Sequence, residues 1–204
     1  MNHPIKIFDE YAESYASKYM DLVEQETAME FLAERIPCSQ SEILDVGCGP
    51  GNLSMLLLRY RPQARISGID GSPNMINLAQ KNIPHGDFTI SDINEISDFD
   101  QCFDCILCGF LIPYLNFECT ENLIRKLSNA LKSGGLFYLV FMDSAIDLSK
   151  EVRSSDGTQS LTTHFYTKNT LTKLLHDYHL TVIYEETLTE KEENDVILIS
   201  RKST

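Results

Sequence analysis

The sequence predicts an α/β protein with a doubly wound, mostly parallel sheet of seven strands and an antiparallel hairpin at one edge. Short apolar runs alternate with amphipathic helical segments along almost the whole chain. Such alternation produces a parallel sheet covered on both faces. The last two apolar runs are joined by a short charged turn, 189–194, which favours an antiparallel pair.

The predicted strands are short apolar runs bounded by turn residues. They occupy residues 42–46, 65–69, 87–90, 103–108, 136–141, 180–185 and 195–200. By strand propensity, 87–90 is the weakest of the seven and 136–141 is the strongest.

The predicted helices have apolar residues at intervals of three and four. They lie around residues 8–19, 29–36, 53–60, 73–79, 120–131 and 171–178. Pro37 ends the second helix, Ser72 caps the fourth ahead of Pro73, and Gly134 is expected to stop the fifth. Residues 143–163 follow neither period and are expected to be an irregular polar stretch, which includes 154–157.

The chain of 204 residues carries a formal charge of −13, from 30 acidic and 17 basic residues. This balance disfavours nucleic acid and anionic membranes as partners, because both are bound through clusters of Lys and Arg. No run approaches the roughly 20 apolar residues that span a bilayer, and no secretory signal follows Met1. The sequence therefore predicts a cytoplasmic protein, either a monomer or a homodimer.

Six cysteines are too few and too scattered for a disulfide scaffold. Cys102, Cys105 and Cys108 have the spacing of two successive metal-binding pairs. Because residues three apart on a strand point to opposite faces, Cys105 and Cys108 are expected to be buried thiols that do not share an ion. No metal site is predicted.

Three alternating glycines, Gly47, Gly49 and Gly51, follow the first strand, and Asp45 lies two residues before them. Glycines allow tight turning and a close approach of ligand to backbone. Dinucleotide-binding loops have the spacing G-x-G-x-x-G, whereas this turn has G-x-G-x-G. An acid beside it suits a cationic ligand better than a diphosphate. S-adenosylmethionine, with a sulfonium and an ammonium group, is such a ligand.

The segment from Asp45 to Gly51 resembles the glycine motif of class I S-adenosylmethionine-dependent methyltransferases of the small-molecule type. Later residues follow the order of that family over about residues 8–200. The resemblance implies a Rossmann-like fold, S-adenosylmethionine as the cofactor, and methyl transfer to a small-molecule acceptor.

The resemblance also implies a set of cofactor-binding residues. Asp70, 19 residues after Gly51, is expected to take both ribose hydroxyls, Met75 to pack near the adenine, and Asp92 to read the adenine amino group. The full expected set is Tyr15, Tyr19, Asp45, Gly47, Cys48, Gly49, Asn52, Asp70, Gly71, Ser72, Met75, Asp92, Ile93 and Cys108.

The acceptor side departs from the family pattern. Many small-molecule members carry one or two histidines after the fourth strand, where this chain has Pro113 and Tyr114, so a histidine base is excluded at that position. Methyl transfer from a sulfonium depends mainly on positioning. The candidates for a catalytic role are Tyr114, Asp143, His164 and Tyr166, and each of these residues could equally serve packing alone.

Residues 1–204 are expected to form a single domain, in which residues 1–36 act as a helical lid and 143–165 line the acceptor pocket. Two other functions remain open. An NAD-dependent oxidoreductase is opposed by the glycine spacing and Asp45. A non-catalytic S-adenosylmethionine-binding protein is compatible with the missing histidine. Within the methyltransferase hypothesis, a protein acceptor also remains open.

Overall fold

The computed structural model describes residues 3–96, 101–153, 160–188 and 194–203. Its strands are β1 (Glu42–Val46), β2 (Arg65–Asp70), β3 (Asp87–Ile90), β4 (Phe103–Gly109), β5 (Leu131–Met142), β6 (Leu148–Arg153), β7 (Ser160–Phe165), β8 (Leu180–Leu188) and β9 (Asp195–Lys202). Its helices are α1 (His3–Glu10), α2 (Ala12–Tyr19), α3 (Glu26–Arg35), α4 (Asn52–Tyr60), α5 (Pro73–Asn82), α6 (Phe117–Ala130) and α7 (Lys168–Asp177).

Seven strands form one sheet in the order β3-β2-β1-β4-β5-β9-β8. The pairs from β3 to β5 are parallel, and β9 is antiparallel to both β5 and β8. The predicted doubly wound sheet with its antiparallel edge is confirmed. Strand order reverses between β1 and β4, which opens a crevice beyond the carboxyl ends of the strands.

The core lies on both faces of the central strands. One cluster packs α6 and α7 on the sheet and includes Cys108, while the other packs α3 and α4 on the opposite face and includes Cys105. The two thiols therefore point in opposite directions, as the period of a strand requires. Burial on both faces is also why these strands are continuous apolar runs.

Two predicted helices differ from the structure. The first helix is two helices, because the chain breaks its helical conformation at Tyr11. Gly134 does not stop α6, which ends at Ala130. It lies inside β5 with a φ of 75° and allows the irregular pairing at the start of that strand.

The prediction of an irregular stretch over 143–163 was wrong, because β6 and β7 pair as a separate antiparallel hairpin. Most of β6 is exposed, so its residues lack the apolar alternation that identifies a strand in sequence. Backbone pairing holds these two strands together. Within this stretch, 154–159 lie outside the described residues, as do 189–193 of the charged turn between β8 and β9.

Candidate active site

The glycine turn, residues 47–51, joins β1 to α4 and is fastened to the end of β2. The amides of Gly47 and Cys48 both donate to the carbonyl oxygen of Ile69, at 2.8 and 3.0 Å. Gly47, Gly49 and Gly51 have φ values of 66°, 51° and 84°, a left-handed conformation that side chains disfavour. This part of the crevice is therefore lined by bare backbone.

Asp45 is a buried carboxyl near the end of β1, with 1% of its surface exposed. Its Oδ2 accepts a hydrogen bond of 2.6 Å from Ser54 Oγ on α4. Burial raises the pKa of Asp45 to about 7, and the Ser54 hydrogen bond acts in the opposite direction. A carboxyl in this condition is stabilised in its ionised form by a neighbouring cation.

Asp70 connects the glycine turn to the start of α5. Its Oδ2 accepts from the Gly49 amide at 2.9 Å and its Oδ1 from the Ser72 amide at 2.8 Å. Burial raises the pKa of Asp70, while these backbone hydrogen bonds lower it. Each carboxylate oxygen has two lone pairs, so both oxygens can still accept a hydrogen bond from a ligand hydroxyl.

A cavity of about 830 Å³, including its open mouth, lies beyond the carboxyl ends of β1, β2 and β4. We call it the main cavity. A smaller recess adjoins it at Asp45, and we call it the Asp45 recess. Two larger outer cavities lie on the other side of Tyr15 and Tyr114.

The structure brings most of the predicted cofactor-binding residues to these cavities. The main cavity is lined by Tyr15, Gly47, Gly49, Asp70, Gly71, Met75, Asp92 and Ile93. Asp45, Cys48 and Asn52 line the Asp45 recess, and Tyr19 lines both outer cavities.

Two residues of the predicted set line none of these cavities. Ser72 accepts from the Met75 amide and donates to Asp9, so it caps α5 and ties that helix to α1. Cys108 lies fully inside the core. The cavity wall beyond it is formed by Gly109 and Phe110.

The charges of the lining discriminate between ligand classes. Among the described residues, the main cavity and the Asp45 recess are lined by three acids, Asp45, Asp70 and Asp92, and by no Lys, Arg or His. A pyrophosphate would lack a counter-charge here. A ligand with cationic, hydroxyl and amino groups matches the lining.

The N-terminal helices lie across the main cavity and are fastened to α5. Asp9 Oδ1 accepts from Ser72 Oγ at 2.7 Å and from the Asn74 amide at 2.9 Å. A Cβ atom on Gly71 would lie 2.4 Å from Ile5, which shows how closely α1 covers this turn.

Three aromatic rings stand between the main cavity and the outer cavities. The rings of Phe8 and Tyr114 meet edge to face at 4.8 Å, and those of Phe8 and Tyr15 at 5.9 Å. We call Phe8, Tyr15 and Tyr114 the aromatic cluster. Each of them lines the main cavity and both outer cavities.

Comparison with known proteins agrees with this geometry. Residues 43–135 match the family described as a methyltransferase domain. That span holds β1, the glycine turn, Asp70 and Asp92. The stretch that builds the candidate site therefore carries the pattern of a methyltransferase domain.

The chain is similar to curated enzymes from two bacteria. It is 30% identical over 139 residues to the demethylmenaquinone methyltransferase of Thermotoga maritima, covering 65% of this chain and 58% of the relative. It is 43% identical over 134 residues to a trans-aconitate 2-methyltransferase of Enterobacter sp., covering 64% of this chain and 52% of the relative. The chain thus spans about half the length of the curated relatives it matches.

The fold is shared with a solved methyltransferase. The 1,6-didemethyltoxoflavin-N1-methyltransferase of Burkholderia thailandensis, solved with bound 1,6-didemethyltoxoflavin and S-adenosylhomocysteine, superposes with a TM-score of 0.66 at 17% identity. The match covers 100% of this chain and 92% of that one. In the described ranges, no helix has both the length and the apolar character needed to cross a bilayer.

Of the four catalytic candidates, the structure places only Tyr114 at these four cavities. The Tyr166 hydroxyl donates to the Leu115 carbonyl at 2.8 Å. Asp143 accepts from the Lys168 amide at the start of α7. His164 shares a hydrogen bond of 2.7 Å with Ser149 on the β6–β7 hairpin.

Sequence reasoning missed several residues that line the cavities, among them Gln25, Asn94 and Phe110. Phe110 follows Gly109 with a φ of 53°, a strained value for a large side chain. The backbone N–H and the side-chain Nδ2 of Asn94 both donate to Asp92 Oδ1, at 3.0 and 2.9 Å. The sequence offered a signal only for Asn94, which lies two residues after a predicted site acid.

Proposed function

We propose that this protein is an S-adenosylmethionine-dependent methyltransferase that acts on a small-molecule acceptor. The observation that carries the proposal is the cleft lined by acids and bare backbone, without a cationic side chain among its described residues. The aromatic cluster joins this cleft to separate outer cavities, as a two-substrate reaction requires.

The residues present fit the cofactor. The Asp45 recess would hold the methionine portion, Asp70 the ribose hydroxyls, and Met75, Asp92 and Ile93 the adenine. The bound cofactor supplies a methyl group on a sulfonium, which is already an activated leaving group. The protein's task is therefore to orient the acceptor and to exclude water.

Tyr114 contributes a neutral wall to this arrangement. Burial raises the pKa of its hydroxyl to about 12, so the group stays protonated at neutral pH and is not a general base. The hydroxyl can donate a hydrogen bond to the acceptor. The geometry thus favours an acceptor whose nucleophilic atom needs no general base to remove a proton before it attacks the methyl group.

The same proposal covers the organisation of the chain. Residues 1–204 form one domain, residues 1–36 cover the cofactor, and 143–165 contribute to the acceptor pocket, which is supported by Val152, Arg153 and Leu161 in an outer cavity. None of the six cysteines forms a disulfide in the described residues, which favours the reducing cytoplasm. The charge of −13 disfavours a nucleic-acid or membrane partner. The protein works as a monomer or homodimer.

Product formation tests the proposal. The purified protein is mixed with S-adenosylmethionine and a panel of small phenols, carboxylates and amines, and S-adenosylhomocysteine and methylated products are measured by mass spectrometry. We expect turnover by the wild type and by Asp87→Ala, an exposed acid at the start of β3, and a loss of at least tenfold in Asp70→Ala. Cofactor binding without turnover of any acceptor would favour a non-catalytic binding protein.

A further inference from the structure

Gln25 is a buried amide at the Asp45 recess. It ends the short 3-10 turn Val23–Gln25 between α2 and α3, and 1% of its surface is exposed. Its side chain lines both the Asp45 recess and one outer cavity. No motif in the sequence points to it, because its position depends on how the N-terminal segment packs on the sheet.

Tyr138 of β5 fixes the orientation of this amide. The Tyr138 hydroxyl is fully buried and donates to Gln25 Oε1 at 3.0 Å. Burial holds the pKa of this phenol well above its ordinary value, so the hydroxyl keeps its proton and needs an acceptor for it. The amide oxygen therefore faces Tyr138, and the NH₂ group, Nε2, is left to face the cavity side.

The Nε2 group has no hydrogen-bond partner within the described part of the chain. The Tyr15 hydroxyl is a second side-chain donor on the recess, whereas several other donors there are already engaged. The amides of Gly47 and Cys48 donate to Ile69, and the amide of Gly49 donates to Asp70. The Asn52 side chain donates to the Tyr19 carbonyl. Nε2 is not among the buried unpartnered atoms of the described residues, so it is accessible from the recess. Such a donor is stabilised by an acceptor in the recess, and most strongly by an anionic one.

We infer that Gln25 binds the carboxylate of the methionine portion of S-adenosylmethionine through Nε2, with Tyr138 as the residue that positions it. The inference rests on the proposed function. Asp45, on the same recess, matches the cationic groups of that portion, and the recess has no Lys, Arg or His among its described residues. Gln25 thus donates a hydrogen bond to the carboxylate without adding a positive charge. The negative charge of Asp45 therefore stays available to the cationic groups of the ligand.

Isothermal titration with two ligands tests this assignment. One ligand is S-adenosylhomocysteine, and the other is its decarboxylated analogue, which keeps the amino group. We expect Gln25→Met to raise the Kd of S-adenosylhomocysteine by about 10- to 100-fold, the range for a hydrogen bond to a charged group. The Kd of the analogue, which has no carboxylate, should change by less than about threefold. Tyr138→Phe should weaken S-adenosylhomocysteine several-fold and leave the analogue unchanged.

Gln80→Met is the matched control, because Gln80 lies on α5 and donates to the carbonyls of Pro84 and Gly86. Should Gln25→Met fail to fold, Gln25→Asn keeps the amide but shortens its reach and carries the same expectation. Equal losses for both ligands, or an unchanged Kd with a raised KM for the acceptor, would overturn the assignment. If wild type binds neither ligand, the proposed function itself fails.

Discussion

Asp45 is the buried carboxyl of the Asp45 recess. Burial raises its pKa to about 7, so below that pH the carboxyl is largely neutral. A cationic ligand binds the ionised form, and we therefore expect the Kd for S-adenosylmethionine to rise as the pH falls from 8 to 6. Titration of wild type and Asp45→Asn at both pH values checks this. The variant should bind more weakly at pH 8 and show little pH dependence, and a wild-type Kd independent of pH would contradict the assignment.

The same pKa predicts a cost to stability. The folded protein keeps a proton on Asp45 that the unfolded chain releases at its ordinary pKa of 3.8. The stability of the unliganded protein therefore falls as the pH rises from about 4 to about 7. Urea unfolding at pH 8 should find Asp45→Asn more stable than wild type by about 1–4 kcal/mol, with Asp87→Asn unchanged. A destabilised Asp45→Asn would show that the carboxylate is needed for folding.

Tyr114 lies where the main and outer cavities meet. Because burial raises its pKa to about 12, removing the hydroxyl should cost less than about tenfold in kcat, whereas removing the ring should cost more. Steady-state kinetics of Tyr114→Phe and Tyr114→Ala, with whichever acceptor the product assay identifies, checks this order. A loss above a hundredfold in Tyr114→Phe would assign the hydroxyl a direct chemical role.

Residue predictions from sequence depended on whether a residue follows a motif. Asp70, Met75 and Asp92 follow the glycine turn in the family's order, and the structure places all three at the main cavity. Gln25 and Phe110 follow no motif. The burial of Gln25 against Tyr138 and the positive φ of Phe110 depend on contacts between segments that are distant in sequence. Ser72 was recognisable as a helix cap, and capping α5 is what its hydroxyl does.

At the scale of elements, the N-terminal helices are held over the main cavity by a few polar contacts. Asp9 on α1 accepts from two groups at the start of α5. Losing a side-chain acceptor for an N–H of a helix's first turn typically costs about 1 kcal/mol. We expect Asp9→Ala to increase hydrogen exchange across α1 and α2 and to weaken S-adenosylhomocysteine several-fold. Glu13→Ala, an exposed acid on α2, is the control. Unchanged exchange in Asp9→Ala would mean that other contacts hold the helices.

Elements were predictable where burial dictates composition. The bounds of β1 match the expectation and those of β4 differ by one residue, and both strands are mostly buried. The bounds of β3 match as well, although that strand is mostly exposed. The β6–β7 hairpin could not be predicted in this way, since its strands lie outside the large core and need no apolar alternation. The break at Tyr11 was also hidden, because both α1 and α2 continue the same apolar period.

At the scale of the whole molecule, topology assembles the candidate site. Asp45, Asp70 and Asp92 lie at or just beyond the carboxyl ends of β1, β2 and β3, which are neighbours in the parallel sheet. Each acid lies near the end of a strand or just after one, so the sheet brings together three carboxyls that are far apart in sequence. The glycine turn then provides close access to backbone, and the N-terminal helices close the cavity from above.

The central claim is that this acidic cleft takes S-adenosylmethionine and not a dinucleotide. Isothermal titration of the wild type with S-adenosylmethionine, S-adenosylhomocysteine and NAD tests it most directly. We expect both adenosyl-sulfur compounds to bind at one site per chain with micromolar Kd values, and NAD to give no measurable heat. Tight binding of NAD together with no binding of either adenosyl-sulfur compound would contradict it.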